Sequence, residues 1–236
     1  MPLRPLSCLM ALLAATLPAI AQPARDARVP DTAAQRALAC TACHRLTDVP
    51  TREGYIPRIA GKPAGYLHEQ LQAFRDGRRR NDAMARLLEN QSEASMRALA
   101  AHFADQHAPY PPPAAAPAGA AAQRGAAWVR QGDAARGVPA CVRCHGEALT
   151  GIAPMVPGLV GLPAGYLTAQ LGAWRSGVRQ GRAPDCMAQI ARRLPADAVS
   201  EIAQWLAAQP VPVPATPAAS APPAPWPPMD CGILAK

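Results

Sequence analysis

The sequence predicts an all-α protein made of two tandem copies of one small helical domain, joined by a linker rich in Pro and Ala. Three observations support this prediction. Residues 61–77 recur at 161–177 with eleven of 17 positions identical, and this offset fits a duplicated domain. Apolar residues in each copy follow helical spacing. The same C-x-x-C-H pattern precedes both copies, at residues 40–44 and 141–145.

The N-terminal residues 1–21 have the features of a signal peptide. Arg4 supplies a positive charge, residues 9–20 are largely apolar, and small residues at 19–21 form a cleavage site. About 12 apolar residues are too few to span a bilayer, which needs roughly 20. We therefore expect export with cleavage, loss of Cys8 with the signal, and a mature protein that is soluble or peripheral to a membrane.

Composition divides the remaining chain into four parts. We predict a first domain at residues 22–108, a linker at 109–123, a second domain at 124–209 and a tail at 210–236. The linker has five prolines, and nine more lie among residues 210–228. Proline in this density excludes regular helix, so the linker is predicted to be extended and the tail polyproline-like or disordered.

Two helices are predicted within each copy. The repeated segment forms the first, which Gly77 closes in one copy and Gly177 in the other. The second begins near Ser92, a good N-cap, and its counterpart begins with Pro195 in the first turn. A short helix is also expected before each cysteine pair, at residues 32–39 and 124–131.

The C-x-x-C-H pattern is typical of covalent c-type haem attachment. Two thiols three residues apart reach the two vinyl groups of one porphyrin, and the adjoining histidine becomes the proximal iron ligand. A thioredoxin-like pair would need a βαβ context, and paired zinc motifs usually lie closer together. The predicted haem-binding residues are therefore Cys40, Cys43 and His44 in the first copy and Cys141, Cys144 and His145 in the second.

A methionine at a matching place in each copy is the candidate sixth ligand of the iron. Met84 follows His44 by 40 residues, and Met187 follows His145 by 42. Both are predicted to lie in a loop before the last helix, and His/Met ligation raises the reduction potential. The other histidines of the first copy have no counterpart in the second, so we interpret them as surface residues: His68, His102 and His107.

The net charge of +8 argues weakly for nucleic-acid binding, because the arginines are scattered among alanines rather than interleaved with aromatics. Removal of Arg4 leaves 23 basic and 16 acidic residues, and four haem propionates would reduce the balance to about +3. An acidic docking patch on a redox partner is the more plausible binding surface for this positive charge.

Together these motifs resemble the two-haem cytochromes c of the cytochrome c4 type, over about residues 32–108 and 124–208. The matching pattern is C-x-x-C-H, a proline, G-x-P-x-x-Y-L-x-x-Q-L-x-x-[FW]-R-x-G, and a methionine before the last helix. The resemblance implies that the carbonyls of Pro57 and Pro157 accept hydrogen bonds from the proximal histidines and so orient them.

By the same resemblance, Tyr66 and Tyr166 are candidates for the surroundings of the haem propionates, with structural packing an equal alternative. The sequence departs from the family at Arg45, where the second copy has Gly146, and in its proline-rich linker and tail.

Two further cysteines also depart from the family. Cys186 adjoins Met187, and Cys231 lies in the tail. An exported protein with two spare cysteines most simply forms a disulfide. A thiolate ligand to the second iron from Cys186, or a free thiol, remains the alternative.

The function predicted is electron transfer in the periplasm, without enzymatic activity, because His and Met fill both axial positions of each iron. The resemblance implies a quinol-oxidising membrane complex as donor and a terminal oxidase as acceptor in a respiratory chain. Two alternatives stay open. One is a haem enzyme, such as a two-haem peroxidase or a sulfur-compound dehydrogenase. The other is a cytochrome subunit of a periplasmic dehydrogenase complex.

Overall fold

Helices are the main secondary structure of the computed structural model, which describes residues 29–45, 56–219 and 228–234. The described part of the first repeat contains α1 (Ala33–Thr41), α2 (Ala64–Arg75), α3 (Asp82–Leu88) and α4 (Glu93–Ala104). The second repeat contains α5 (Gly119–Arg130), α6 (Val142–His145), α7 (Ala164–Ser176), α8 (Cys186–Arg193) and α9 (Ala196–Ala207). The predicted all-α class is confirmed. The predicted signal peptide and Cys8 lie outside the described residues.

Short strands, which the sequence did not predict, occur in the second repeat. They form two antiparallel pairs of two-residue strands, β1 (Gly132–Asp133) with β2 (Val138–Pro139) and β3 (Gly151–Ile152) with β4 (Val156–Pro157). Strands of this length leave no period-2 pattern in a sequence. A 3₁₀ turn at Gly232–Leu234 follows in the tail.

The two repeats pack their helices in the same way. In the first, α4 contacts α1 and α2, and α2 contacts α3; in the second, α9 contacts α5 and α7, and α7 contacts α8. Each repeat has its own cluster of buried apolar side chains, around Phe103 in the first and around Val129 and Ile202 in the second. The duplication visible in the sequence is therefore also a duplication of the core.

Close contact between α5 and α9 depends on a glycine. A Cβ at Gly125 would lie 2.6 Å from the carbonyl oxygen of Glu201 and 2.8 Å from Cβ of Trp205. No side chain larger than hydrogen fits there without separating the helices. In the first repeat Ala37, which is 2% exposed, belongs to the corresponding core on α1.

The helix ends confirm the predicted capping residues. Ser92 precedes α4, and its hydroxyl accepts a hydrogen bond from the N–H of Ser95 at 3.1 Å. Gly77 and Gly177 follow α2 and α7 with φ angles of +74° and +77°, a left-handed conformation that favours glycine. Pro195 stands one position earlier than predicted, as the residue preceding α9.

The linker is shorter than predicted, because α5 begins at Gly119 rather than near residue 124. The alanines at 120–122 are strong helix formers and extend the helix toward the N-terminus. The extended part before them contacts the protein: Arg58 donates to the carbonyl of Pro109 at 2.8 Å and lies 4.0 Å over the ring of Tyr110.

The described part of the tail is also attached to the second repeat. Ala218 pairs with the edge of β3, donating to the carbonyl of Gly151 at 2.9 Å and accepting from the N–H of Ala153 at 2.8 Å. Cys231 is buried in a disulfide with Cys186. These contacts correct the expectation of a disordered tail for residues 210–219 and 228–234. Among the helices described, none has the length and apolar character needed to cross a bilayer.

Candidate functional site

Both C-x-x-C-H motifs form a single helical turn. In the first, the N–H of His44 donates to the carbonyl of Cys40 at 2.8 Å, and in the second His145 makes the same bond to Cys141 at 2.9 Å. Residues three and four positions apart lie on one face of such a turn. The backbone therefore brings both thiols and the imidazole of each motif to the same side.

A proline carbonyl holds each histidine ring. Nδ1 of His44 lies 2.8 Å from the carbonyl oxygen of Pro57, and Nδ1 of His145 lies 2.8 Å from that of Pro157. These are the two hydrogen bonds that the resemblance implies. With Nδ1–H donating to a carbonyl, Nε2 is the nitrogen left with a lone pair for a metal.

The surroundings of both rings favour the neutral imidazole. Burial lowers the pKa of His44 and of His145, and it outweighs the opposite effect of the proline carbonyls. A nearby cation, Arg79 for His44 and Lys62 for His145, acts in the same direction as burial. Neutral imidazole is the form that ligates iron.

The two candidate methionines lie in helices, which corrects the prediction that they lie in loops. Met84 is in the first turn of α3, and its N–H donates to the side chain of Asn81 at 3.0 Å. Met187 is the second residue of α8, where Asp185 accepts from the N–H of Ala188 at 3.0 Å. A polar N-cap thus positions the methionine in both repeats.

His145, Cys144 and Met187 line one cleft of about 100 Å³, which is called the second cleft below. Trp174 and Ile190 add apolar walls from α7 and α8. Thiol, imidazole and thioether groups around one apolar cleft are the donor set of a c-type haem, so the residues present fit that group.

The second cleft is not built by the second repeat alone. Tyr66, Gln70 and Ala73 of α2 line it from the first repeat, and Ile233 and Leu234 line it from the tail. Its composition could not be read from either repeat separately, because three distant segments of the chain contribute to it.

Six side chains form a nearly symmetric cluster between the repeats, called the interface cluster: Tyr66, Gln70, Arg79, Tyr166, Gln170 and Arg179. Arg179 donates to Tyr66 at 3.2 Å, Gln70 at 2.9 Å and Gln170 at 2.7 Å. Arg79 makes the matching bonds to Tyr166 at 3.4 Å, Gln170 at 3.0 Å and Gln70 at 2.9 Å. The backbones of the two arginines also form an antiparallel bridge.

Among the described residues, no carboxylate is hydrogen-bonded to the two arginines of the interface cluster. Both guanidinium groups bond to amide and phenol oxygens, which are neutral acceptors, and Arg179 is 6% exposed. Burial alone would raise the pKa of Tyr66, but Arg179, Arg79 and Lys62 together lower it to about 8. A buried excess of cations favours an anionic ligand at this position.

A second contact between the repeats is an ion pair between a carboxylate and guanidinium groups. The carboxylate of Glu69, which is 3% exposed, accepts from Arg78 at 2.6 Å and from Arg182 of the second repeat at 2.6 Å. The N–H of Gln180 also donates to the carbonyl of Arg78 at 2.7 Å. The buried carboxylate is therefore already balanced, unlike the arginines of the interface cluster.

Sequence analysis missed the two central arginines. Arg79 and Arg179 stand at the same offset of 100 residues as the repeat, two positions beyond its last glycine. Extending the alignment by two residues would have found them. The pairing of each arginine with Tyr and Gln side chains of the other repeat has no signal in the sequence.

The spare cysteines form the predicted disulfide. Cys186 and Cys231 are bonded to each other, with their Cα atoms 5.1 Å apart. Cys186 is the first residue of α8 rather than part of a loop. Its sulfur is consumed by this bond, which contradicts the alternative of a thiolate ligand to the second iron.

The remaining histidines do not line the second cleft. Nε2 of His68 lies 2.7 Å from the carboxylate of Glu93, and His102 packs its ring edge against Phe103. His68 is half-buried rather than at the surface, with 19% of its side chain exposed, whereas His107 is exposed.

The chain is similar to known dihaem cytochromes and matches no family model. It is 40% identical over 202 residues to a thiosulfate dehydrogenase electron acceptor of Thiomonas intermedia (strain K12), covering 85% of this chain and 91% of the relative. It is 36% identical over 145 residues to cytochrome c4 of Pseudomonas aeruginosa, covering 61% of this chain and 70% of the relative.

Two solved structures share the fold. Reduced cytochrome c4 from Pseudomonas stutzeri superposes with a TM-score of 0.62 at 25% identity, covering 75% of this chain and 96% of that one. Thiosulfate dehydrogenase (TsdBA) from Marichromatium purpuratum superposes with a TM-score of 0.63 at 34% identity. That match covers 72% of this chain but 36% of the longer solved chain.

Proposed function

Since the chain belongs to the cytochrome c4 family of dihaem electron-transfer cytochromes, we propose that it accepts electrons from a thiosulfate dehydrogenase. The chain carries two covalently bound c-type haems. The observation that carries the proposal is the 40% identity to a thiosulfate dehydrogenase electron acceptor along 91% of that relative's length.

Each haem is assigned one set of residues from one repeat. Cys40 and Cys43 would hold the first haem covalently, and His44 and Met84 would ligate its iron. Cys141, Cys144, His145 and Met187 would serve the second haem in the same order. The haem iron supplies the one-electron chemistry, and the proline carbonyls of residues 57 and 157 fix the histidine rings.

The haem propionates are the anions that we assign to the interface cluster. Tyr66, Gln70 and Arg179 all line the second cleft, and by the symmetry of the cluster Tyr166, Gln170 and Arg79 belong to the first haem. Guanidinium groups form strong, charge-assisted hydrogen bonds with carboxylates. In this proposal the two haems would lie on either side of one interface, where an electron could pass between them.

The protein acts as a carrier rather than as an enzyme. With a histidine and a methionine as ligands, neither iron would have an open position for a substrate. The feature that favoured an enzyme was Cys186 as a thiolate, and its sulfur belongs to the disulfide. Each haem accepts one electron, so a fully oxidised chain takes up two.

The periplasm is the compartment that fits these features. Covalent c-type haem, a disulfide and residues 1–21 of signal-peptide character all accord with an exported protein. A respiratory terminal oxidase is a suitable onward acceptor. The matched part of the thiosulfate dehydrogenase from M. purpuratum belongs to one longer chain, which favours direct contact between such a cytochrome and its dehydrogenase. A quinol-oxidising complex is the second candidate donor.

Stopped-flow reduction tests the proposal. The oxidised protein is mixed with a purified thiosulfate dehydrogenase and thiosulfate, and haem reduction is followed in the visible spectrum. We expect both haems to be reduced within the turnover time of the dehydrogenase, and more slowly at high salt because the chain is basic. Mixtures lacking either the dehydrogenase or thiosulfate are the controls. Reduction no faster than in these controls would reject thiosulfate dehydrogenase as donor.

A further inference from the structure

The end of the tail packs directly on the turn that precedes α8. Besides the disulfide to Cys186, the N–H of Gly232 donates to the carbonyl of Pro184 at 2.9 Å. A Cβ at Gly232 would collide with the carbonyl of Ala183. The disulfide and the close backbone approach therefore both hold the end of the tail against the turn before α8.

Two apolar side chains of this segment face the haem site. Ile233 and Leu234 line the second cleft together with His145 and Met187. They also border a neighbouring cavity that reaches Gly65 at the start of α2. The segment therefore lies where α8, the second cleft and the first repeat meet.

In the part of the first repeat that the structure describes, no segment is attached in the matching way. Ala83 precedes Met84 where Cys186 precedes Met187, so a disulfide cannot form at the corresponding position. After α4 the chain continues into the linker, which contacts Arg58 and Ala207. Within the described residues, such an attached segment therefore occurs at the second haem site and not at the first.

We propose that residues 231–234 form a wall of the second haem pocket, with Ile233 and Leu234 excluding water and partner proteins from that haem. The inference rests on a haem in the second cleft and not on the identity of the electron donor. Its consequence is that the two haems are unequal, with partner proteins exchanging electrons through the first.

The wall should raise the reduction potential of the second haem. Ferric haem carries one more positive charge than ferrous haem, so removing water from its surroundings disfavours the ferric state. An opening in the wall reverses this effect and admits small reductants. Both effects are expected at the second haem alone. A general destabilisation of the protein would instead affect both haems.

The test compares full-length holoprotein variants. Ile233→Ser together with Leu234→Ser makes the wall polar, and Gly232→Ala displaces the segment without changing its side chains at 233 and 234. Val213→Ser is the matched control, because this tail residue is 97% exposed. The potential of each haem is measured by titration followed by NMR, where the Met187 methyl signal is identified by its loss in Met187→Ala.

We expect both wall variants to lower the potential of the second haem and to speed its reduction by ascorbate several-fold, with the first haem unchanged. Val213→Ser should behave as the unmodified protein. The proposal is overturned if the wall variants match Val213→Ser, or if both haems shift equally. Neither result depends on a thiosulfate dehydrogenase, so a failure here is distinct from a failure of the proposed donor.

Discussion

Met84 and Met187 occupy matching positions in the first turns of α3 and α8, and we assign each as the distal ligand of one iron. Replacement of either by alanine should remove about half of the weak methionine–iron band at the red end of the visible spectrum. It should also lower one reduction potential, since a thioether ligand stabilises ferrous iron. Visible spectroscopy with a redox titration measures both effects.

Met96 provides the control for this experiment. It is a fully buried methionine of α4 and lies in the core, so Met96→Leu conserves its volume and should leave the band and both potentials unchanged. If Met84→Ala or Met187→Ala behaves like Met96→Leu, that methionine is not a ligand.

Single residues were predictable where the chemistry imposes a fixed spacing. Two thiols and a histidine must lie within one helical turn to bind a haem, so Cys141, Cys144 and His145 were visible in the sequence alone. Arg79 and Arg179 were not identified, because two of the three acceptors of each belong to the opposite repeat. Contacts across an interface leave no local pattern.

At the scale of helices, the N-cap of α3 links local structure to the haem site. The side chain of Asn81 accepts the N–H of Met84, so Asn81→Ala should lower the free energy of unfolding by about 1 kcal/mol. Because the lost hydrogen bond holds the turn that carries Met84, cyanide should also displace this methionine from ferric iron more readily. Thermal unfolding and cyanide titration measure the two effects.

Asn81→Asp is the matched variant, since Asp185 caps α8 in the second repeat and aspartate is as good a cap as asparagine. It should retain the stability and the cyanide resistance of the unmodified protein. An Asn81→Ala variant as resistant to cyanide as Asn81→Asp would show that the cap does not position Met84.

Longer elements were predicted better than short ones for a physical reason. α2 and α7 contain 12 and 13 residues, enough for several apolar residues to mark a helical face. α3 and α8 contain seven and eight, so their stability depends on caps and packing, and the sequence suggested loops. The position of the tail depends on a disulfide whose geometry no local pattern encodes.

At the scale of the whole molecule, the two repeats form one unit for electron transfer. The interface cluster connects them through two arginines whose acceptors in the described part of the chain are neutral oxygens. Glu69 and Arg182 add a balanced ion pair beside it. Duplication was evident from the sequence, but the way the copies face each other was not, because both partners of every such contact lie far apart in the chain.

Electron counting on the intact protein tests the central claim, that one chain holds two six-coordinate haems of the same ligand type. In an anaerobic reductive titration, we expect uptake of two electrons per chain in two one-electron steps. Both steps should show low-spin iron, and the methionine–iron band should disappear across both. Uptake of a single electron, or a high-spin iron with an open coordination position, would contradict the account.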